Sequence, residues 1–167
     1  IDVVLFDKTG TLTKGEQGVV DIITDGAKVN DVLALAASVE LESEHPIAKA
    51  IVTFAKGKKL QLSPAKKFSA MSGRGAKALI GADTVYVGGP RLLEELSLKL
   101  TQELESATTS ASNDGKTVVY VFKSKKVIGA IMLADVIRPE SKEAVQTLQK
   151  AGKRVAMLTG DAKGVAV

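Results

Sequence analysis

Two continuous apolar runs, one near each end of the chain, constrain the fold most strongly. Residues 1–6 and 153–158 are rich in β-branched and aliphatic side chains, and each run leads directly into a polar loop. Such runs are typical of parallel strands with both faces buried. A helix is predicted before the second run, opening at Pro139 and ending at Gly152. The two ends are therefore predicted to form parts of one parallel α/β sheet.

The middle of the chain has a different pattern, which predicts an α+β domain with an antiparallel sheet. Apolar side chains recur at helical spacing over residues 32–39 and 47–54. Short β-like segments follow, with a polar helix at 92–107, a loop at 110–115, and a hairpin of 117–122 with 127–133.

The predicted organisation is one domain interrupted by another. Residues 1–15 and 133–167 are expected to form the parallel-sheet domain, and residues 16–132 the inserted antiparallel domain. Since the chain begins without Met and stops soon after the second polar loop, we expect it to be a fragment of a longer protein.

Composition excludes several classes of function. The 23 Lys and Arg exceed the 19 Asp and Glu by four, and aromatic residues are only 4% of the chain. Neither a strongly basic groove nor a base-stacking surface is indicated, so no nucleic-acid partner is expected. The lack of cysteine excludes disulfides and thiolate metal sites. No apolar run approaches the ~20 residues of a membrane-spanning helix, and no signal peptide is evident.

Candidate chemistry lies where the two end strands are predicted to finish. Asp7 follows the first apolar run and Thr159 follows the last, and ligands of parallel sheets bind beyond these strand ends. An Asp carboxylate can attack phosphorus and form an aspartyl phosphate. Lys8 and Thr159 could donate hydrogen bonds to the transferred group, and Mg²⁺ would neutralise the phosphates. Taken alone, however, an Asp at such a position more often caps a turn.

The complete string Asp-Lys-Thr-Gly-Thr-Leu-Thr, residues 7–13, resembles the phosphorylation motif of the P-type ATPases, ion pumps of the haloacid dehalogenase-like superfamily. Residues 159–161 resemble the second motif of the family, and residues 135–139 resemble its hinge segment. The resemblance implies a partial phosphorylation domain with an inserted nucleotide-binding domain, and ATP and Mg²⁺ as ligands. It implies catalytic roles for Asp7, Lys8, Thr9, Thr159, Gly160 and Asp161, with Mg²⁺ held by Asp7 and Thr9.

Thr9 favours a pump over a phosphatase. Related phosphatases carry a second Asp two residues after the nucleophile, which protonates the leaving group and then activates water. A Thr side chain cannot do this near neutral pH, so an acyl phosphate on Asp7 is expected to persist.

The inserted segment contains Ser-Glu-His-Pro at residues 43–46, and a His before a helix-opening Pro is by itself typical of a helix terminus. This motif, with a Glu five residues earlier and two later glycine pairs, resembles the nucleotide-binding domain of heavy-metal (type IB) P-type ATPases. The resemblance implies that Glu40 contacts the adenine edge, that His45 orients the base, and that glycines allow close approach to ring and ribose. The implied nucleotide-binding residues are Glu40, His45, Gly73, Gly75, Gly88 and Gly89, the last replacing the usual Asn.

Residues 13–19 and 156–161 further resemble the CopB-type copper pumps. We therefore expect a cytoplasmic fragment of an integral membrane protein that exports heavy-metal ions, with copper as the expected cargo. Its actuator domain, membrane helices and transported ion would lie outside this sequence, as would later phosphorylation-domain motifs needed for normal turnover. Two alternatives stay open: a soluble phosphohydrolase of the same superfamily with a cap domain, and a nucleotide-binding module without chemistry.

Overall fold

The computed structural model describes residues 2–158, and the chain divides into two compact units. Unit 1 comprises residues 1–17 and 135–167, and unit 2 comprises residues 18–134. Both divisions fall inside long strands. The elements in chain order are β1 Val3–Asp7, a π-helical turn Lys8–Leu12, β2 Thr13–Thr24, α1 Val29–Glu40, α2 Pro46–Gly57, β3 Ala65–Met71, β4 Gly75–Ile80, β5 Asp83–Gly88, α3 Pro90–Glu95, α4 Gln102–Asn113, β6 Thr117–Lys123, β7 Lys126–Ile137, α5 Pro139–Lys150 and β8 Arg154–Leu158.

Unit 2 is built on a six-stranded sheet with the strand order β2-β7-β6-β5-β4-β3. The strands from β3 to β7 pair in antiparallel fashion with their neighbours in this order. The predicted hairpin is confirmed as β6 and β7, whose turn places Ser124 and Lys125 at positive φ. The expected α+β fold with an antiparallel sheet is thus confirmed.

Helices cover both faces of this sheet. Because successive side chains of a strand point to opposite faces, β6 contributes Val119 and Val121 to one cluster and Tyr120 and Phe122 to the other. The first cluster packs beneath α1 and α2, and the second beneath α3 and α4. The central strands are consequently buried on both sides.

The predicted single helix over residues 92–107 is wrong, because α3 and α4 are separate helices. The chain turns at Ser97, whose φ of 51° is left-handed and incompatible with a continuing helix. The predicted loop at 110–115 is also wrong at its start, since α4 continues to Asn113. Leu104, Thr108 and Ala111 of α4 are buried at helical spacing, so packing outweighs the poor helix propensity of the Ser and Asn residues.

Unit 1 contains the predicted parallel strands. In the pairing of β1 with β8, Asp7 is opposite Leu158, so both described strands end at the same edge. The prediction that these strands are buried on both faces is wrong for the described residues, because Leu5 and Leu158 are 60% and 59% exposed. The reason is that the described sheet of unit 1 has only two strands, with α5 packed against β8.

None of the helices within residues 2–158 is long and apolar enough to cross a membrane.

Candidate functional site

A cavity of about 490 Å³ in unit 2 brings together all six residues that the sequence predicts for nucleotide binding. It lies beside the junction between α1 and α2 and the adjoining ends of β3, β4 and β5. Its wall is mainly apolar, and a few polar groups stand among the apolar ones, as is usual for sites that bind flat organic ligands. The predicted residues that line it are Glu40, His45, Gly73, Gly75, Gly88 and Gly89.

Glu40 is the most unusual ionisable group of the cavity. It is the last residue of α1, and only 7% of its surface is exposed. Burial raises the pKa of Glu40 to about 7, and a hydrogen bond with the Ser43 side chain partly offsets that rise. Near neutral pH this side chain therefore exists in both its neutral and its charged form, and it can donate or accept a hydrogen bond.

His45 caps the helix that borders the cavity. It precedes Pro46, and its Nδ1 atom accepts a hydrogen bond from the backbone N–H of Ile47 at 3.3 Å. The expectation of a helix-terminal histidine is confirmed. Because Nδ1 accepts this bond, the ring's other nitrogen, Nε2, is free of the capping contact and the exposed ring edge can face a ligand.

Two of the predicted glycines have a structural role that the sequence did not reveal. Gly75 and Gly88 are opposite each other on β4 and β5, and Gly75 has a φ of +147°. A Cβ on Gly75 would lie 2.0 Å from the carbonyl oxygen of Val87, and one on Gly88 would lie 2.2 Å from that of Arg74. These two glycines let the two backbones approach each other.

Gly73 and Gly89 differ from that pair. A Cβ on Gly89 would meet nothing within 4 Å, and the nearest atom to one on Gly73 would be Nη1 of Arg91 at 3.8 Å. Gly73 has a φ of +68°, so its turn still favours glycine. Space beside these two residues is therefore open at the cavity rim.

The sequence analysis missed Arg74 and the apolar floor. Arg74 stands between two predicted glycines and lines the cavity, and its Nη1 donates to both carboxylate oxygens of Glu95 at 2.9 and 2.8 Å. The sequence signal that could have identified Arg74 is its position as a charged residue between two glycines. Val119 of β6 also lines the cavity, but only the strand pairing reveals that it does so.

The second set of predicted residues lies in unit 1. Asp7 is the last residue of β1 and is exposed, Lys8 begins the following turn, and Thr9 is exposed within it. An exposed carboxylate at a strand end is accessible to a phosphate group. Thr159, Gly160 and Asp161 lie outside the described residues.

The turn after Asp7 is fixed by contacts at both of its ends. Gly10 has a φ of +80°, and its N–H donates to Oγ1 of the buried Thr13, which in turn donates to the carbonyl oxygen of Lys8. The Arg138 guanidinium donates to the carbonyl oxygens of Thr13 at 3.1 Å and Gly10 at 3.4 Å. The turn therefore has a defined backbone conformation.

The described residues offer few metal ligands. Among residues 2–158, no three His, Cys, Asp or Glu side chains converge to hold a metal ion. Mg²⁺ typically takes one or two protein carboxylates and completes its shell with phosphate oxygens and water. The carboxylate of Asp7 and an oxygen of Thr9 are compatible with such a partial ligand set.

The chain belongs to the haloacid dehalogenase-like hydrolases, since the model of that family matches residues 1–167. This result agrees with a parallel sheet that carries an exposed Asp at a strand end and a large inserted domain.

Within this family, the chain is similar to P-type ATPases that transport heavy-metal ions. The chain is 41% identical over 166 residues to copper-exporting P-type ATPase B of Archaeoglobus fulgidus, covering 99% of this chain and 24% of that protein. A crystal structure of a zinc-transporting PIB-type ATPase matches with 32% identity and a TM-score of 0.85, covering 99% of this chain and 27% of the other.

A crystal structure of the N-domain of HMA8, a copper-transporting P-type ATPase, matches with 35% identity and a TM-score of 0.57, covering 68% of this chain and 97% of the other. The predicted resemblance to heavy-metal P-type ATPases is thereby confirmed. The chain spans between a fifth and a quarter of the length of the curated relatives it matches.

Proposed function

We propose that this chain is the ATP-binding and phosphorylated portion of a P-type ATPase that exports copper ions. In this proposal the cavity of unit 2 holds the adenine base, and Asp7 of unit 1 accepts the terminal phosphoryl group. The portion would belong to the cytoplasmic side of a membrane protein and would act with its actuator domain and membrane helices. The metal ion would be cargo bound by the membrane helices.

The convergence of the six predicted residues on one cavity carries the proposal. They come from four separate stretches of sequence, yet they line a single volume of about 490 Å³. An apolar wall with Glu40 and His45 at its edge suits a purine, because the ring needs apolar faces and a few polar groups at its perimeter. Copper as the cargo is supported by the names of the relatives, which are copper-exporting P-type ATPases.

The chemistry proposed for Asp7 is a single displacement at phosphorus. A carboxylate oxygen of Asp7 attacks the γ-phosphorus, the bond from that phosphorus to the β–γ bridging oxygen breaks, and the electron pair leaves with ADP. Mg²⁺, held by Asp7 and Thr9, would neutralise phosphate charge. Thr159, Gly160 and Asp161 are proposed to assist at the same centre.

Thr9 explains why the acyl phosphate would persist. It has no titratable group near neutral pH, so no carboxylate stands two residues beyond Asp7 to activate water. A soluble phosphohydrolase needs that activation for rapid turnover, whereas a pump needs an intermediate that outlasts a conformational change. This feature favours the pump over the phosphohydrolase.

The test is phosphorylation of the full-length protein with radiolabelled ATP, followed by acid quenching. We expect copper-dependent label that hydroxylamine removes, because hydroxylamine cleaves acyl phosphates. Asp7→Asn should abolish the label, whereas Asp2→Asn, which changes the exposed carboxylate just before β1, should retain it.

Three outcomes would contradict the proposal. Label that survives Asp7→Asn would place the phosphate elsewhere. Label that forms equally well with zinc alone would contradict copper as the cargo. Rapid hydrolysis of small phosphate esters without any trapped acyl phosphate would favour the phosphohydrolase.

A further inference from the structure

Arg74 lines the nucleotide cavity, and the proposal above gives it no role. Arg74 lies in the turn between Gly73 and Gly75, and within residues 2–158 it is the one Lys or Arg that lines this cavity. The Arg91 side chain also approaches the rim, with Nη1 3.8 Å from where a Cβ on Gly73 would stand. Two arginines, Arg74 and Arg91, therefore lie in or beside the open glycine turn.

The backbone of Arg74 is held by hydrogen bonds, whereas its side chain is partly exposed. Its N–H donates to the carbonyl oxygen of Met71 at 2.9 Å, and its own carbonyl oxygen accepts from the N–H of Gly89 at 3.2 Å. The close packing of Gly88 against that carbonyl fixes the turn further. The backbone of the cavity wall therefore fixes the position from which the Arg74 side chain extends.

The partner of the side chain is an exposed carboxylate. Nη1 of Arg74 contacts Glu95 of α3, and the two side chains are 44% and 43% exposed. Exposed ion pairs contribute little free energy, because water and salt screen both charges. A phosphate group, which presents several charged oxygens and matches the planar guanidinium in bidentate fashion, binds arginine more strongly.

We propose that Arg74 binds the phosphates of the nucleotide and that Glu95 competes with them for its guanidinium. This inference rests on the proposed function, since it assumes that a nucleotide occupies the cavity. The base-binding residues would then accept any adenine compound, whereas the Arg74–Glu95 pair would set how strongly ATP is preferred over adenosine.

The experiment measures dissociation constants of adenosine and ATP for the 167-residue chain by titration calorimetry, at pH 8 and constant low ionic strength. Arg74→Gln should weaken ATP binding about tenfold, the effect of losing one charged hydrogen-bonding partner, and leave adenosine binding unchanged. Glu95→Gln should strengthen ATP binding about two- to fivefold, because the competing ion pair is lost, again without an effect on adenosine.

Matched variants separate this competition from a general effect of charge. Glu94→Gln removes the neighbouring exposed carboxylate, and Lys99→Gln removes an exposed cation nearby, so both should leave the ATP-to-adenosine ratio near that of the unmodified chain. In the double variant Arg74→Gln/Glu95→Gln, the gain from Glu95→Gln should disappear, because no guanidinium remains to be released.

The outcomes are distinguishable. Equal losses of adenosine and ATP affinity in Arg74→Gln would assign the residue to the cavity wall and overturn the inference. A gain in Glu95→Gln no larger than in Glu94→Gln would overturn the competition. If adenosine failed to bind the unmodified chain at all, the proposed function would fall and this inference with it, whereas normal adenosine binding with an unchanged ratio would overturn only the inference.

Discussion

The two units of the chain differ in how completely their sheets are covered. In unit 2 helices pack on both faces of the sheet, and Leu33 of α1 is fully buried. In unit 1 the described strands leave Leu5 and Leu158 largely exposed. The proposed nucleotide cavity is therefore formed entirely by residues of unit 2, whereas the turn after Asp7 is held by a two-stranded sheet and a few hydrogen bonds.

The same contrast separates the two steps of the proposed reaction. In the proposed function, the base would bind beside the buried Glu40, and the phosphoryl group would be transferred to the exposed Asp7 at a strand end. Changes to buried residues that line the cavity of unit 2 are therefore expected to alter stability and binding together, while changes to exposed apolar residues in the strands of unit 1 should affect neither strongly.

The largest expected effect concerns the backbone contact that shapes the cavity. Gly75→Ala would place a Cβ 2.0 Å from the carbonyl oxygen of Val87, so we expect the free energy of unfolding to fall by more than about 4 kcal/mol. Gly89→Ala, which meets nothing within 4 Å, should cost less than about 1 kcal/mol as a changed helix cap. Urea unfolding followed by circular dichroism measures both, and equal losses would contradict the structural role of Gly75.

A pair of leucines tests the contrast between the units directly. Leu33→Ala removes a fully buried side chain and should lower the free energy of unfolding by about 3 kcal/mol. Leu5→Ala removes a side chain that is 60% exposed and should cost less than about 1 kcal/mol. Because α1, α2, α3 and α4 all lie in unit 2, helical circular dichroism mainly reports the unfolding of that unit. A larger loss of unfolding free energy for Leu5→Ala than for Leu33→Ala would contradict the contrast between the two units.

Glu40 should make unit 2 less stable as the pH rises. Its pKa is raised from 4.5 to about 7 by burial, so between these values the unfolded chain ionises this group while the folded chain keeps it protonated. Stability from this group is fully present below pH 4.5 and is lost as the pH rises through 7, by up to about 3 kcal/mol. Glu40→Gln should remove that dependence, as measured by urea unfolding at pH 5 and pH 8.

The exposed Glu42 provides the control for this titration. Glu42→Gln removes an exposed carboxylate two residues along the chain from Glu40, and it should preserve the pH dependence of the unmodified chain. An unchanged slope in Glu40→Gln would show that Glu40 is not the group responsible.

The parts of the structure that were predictable follow from periodicity and from specific motifs. The apolar run that became β7 and the Pro46 start of α2 were visible because burial and capping impose local patterns. The break between α3 and α4 could not be predicted from the sequence, because it depends on the left-handed conformation of Ser97 and on burial of Leu104 against a distant strand. Local propensity carries no information about such packing.

The candidate site shows the same limit. The glycine pairs were identified by resemblance, but the approach of Gly75 to Gly88 appears only when β4 is paired with β5. The raised pKa of Glu40 likewise depends on burial at the end of α1, which no spacing rule supplies. Arg74 was overlooked because its importance comes from Glu95, which is 21 residues away in sequence.

Amide chemical shifts measured during titration of the 167-residue chain with ATP test most directly whether the cavity of unit 2 is the nucleotide site. Signals of His45, Gly73 and Gly75 should move progressively and saturate, while those of the lysine-rich stretch at residues 56–59 should stay in place. Adenosine should move the same three signals, because the base is expected to bind without its phosphates. Saturating changes confined to residues 56–59, with the three cavity signals unmoved, would contradict the account.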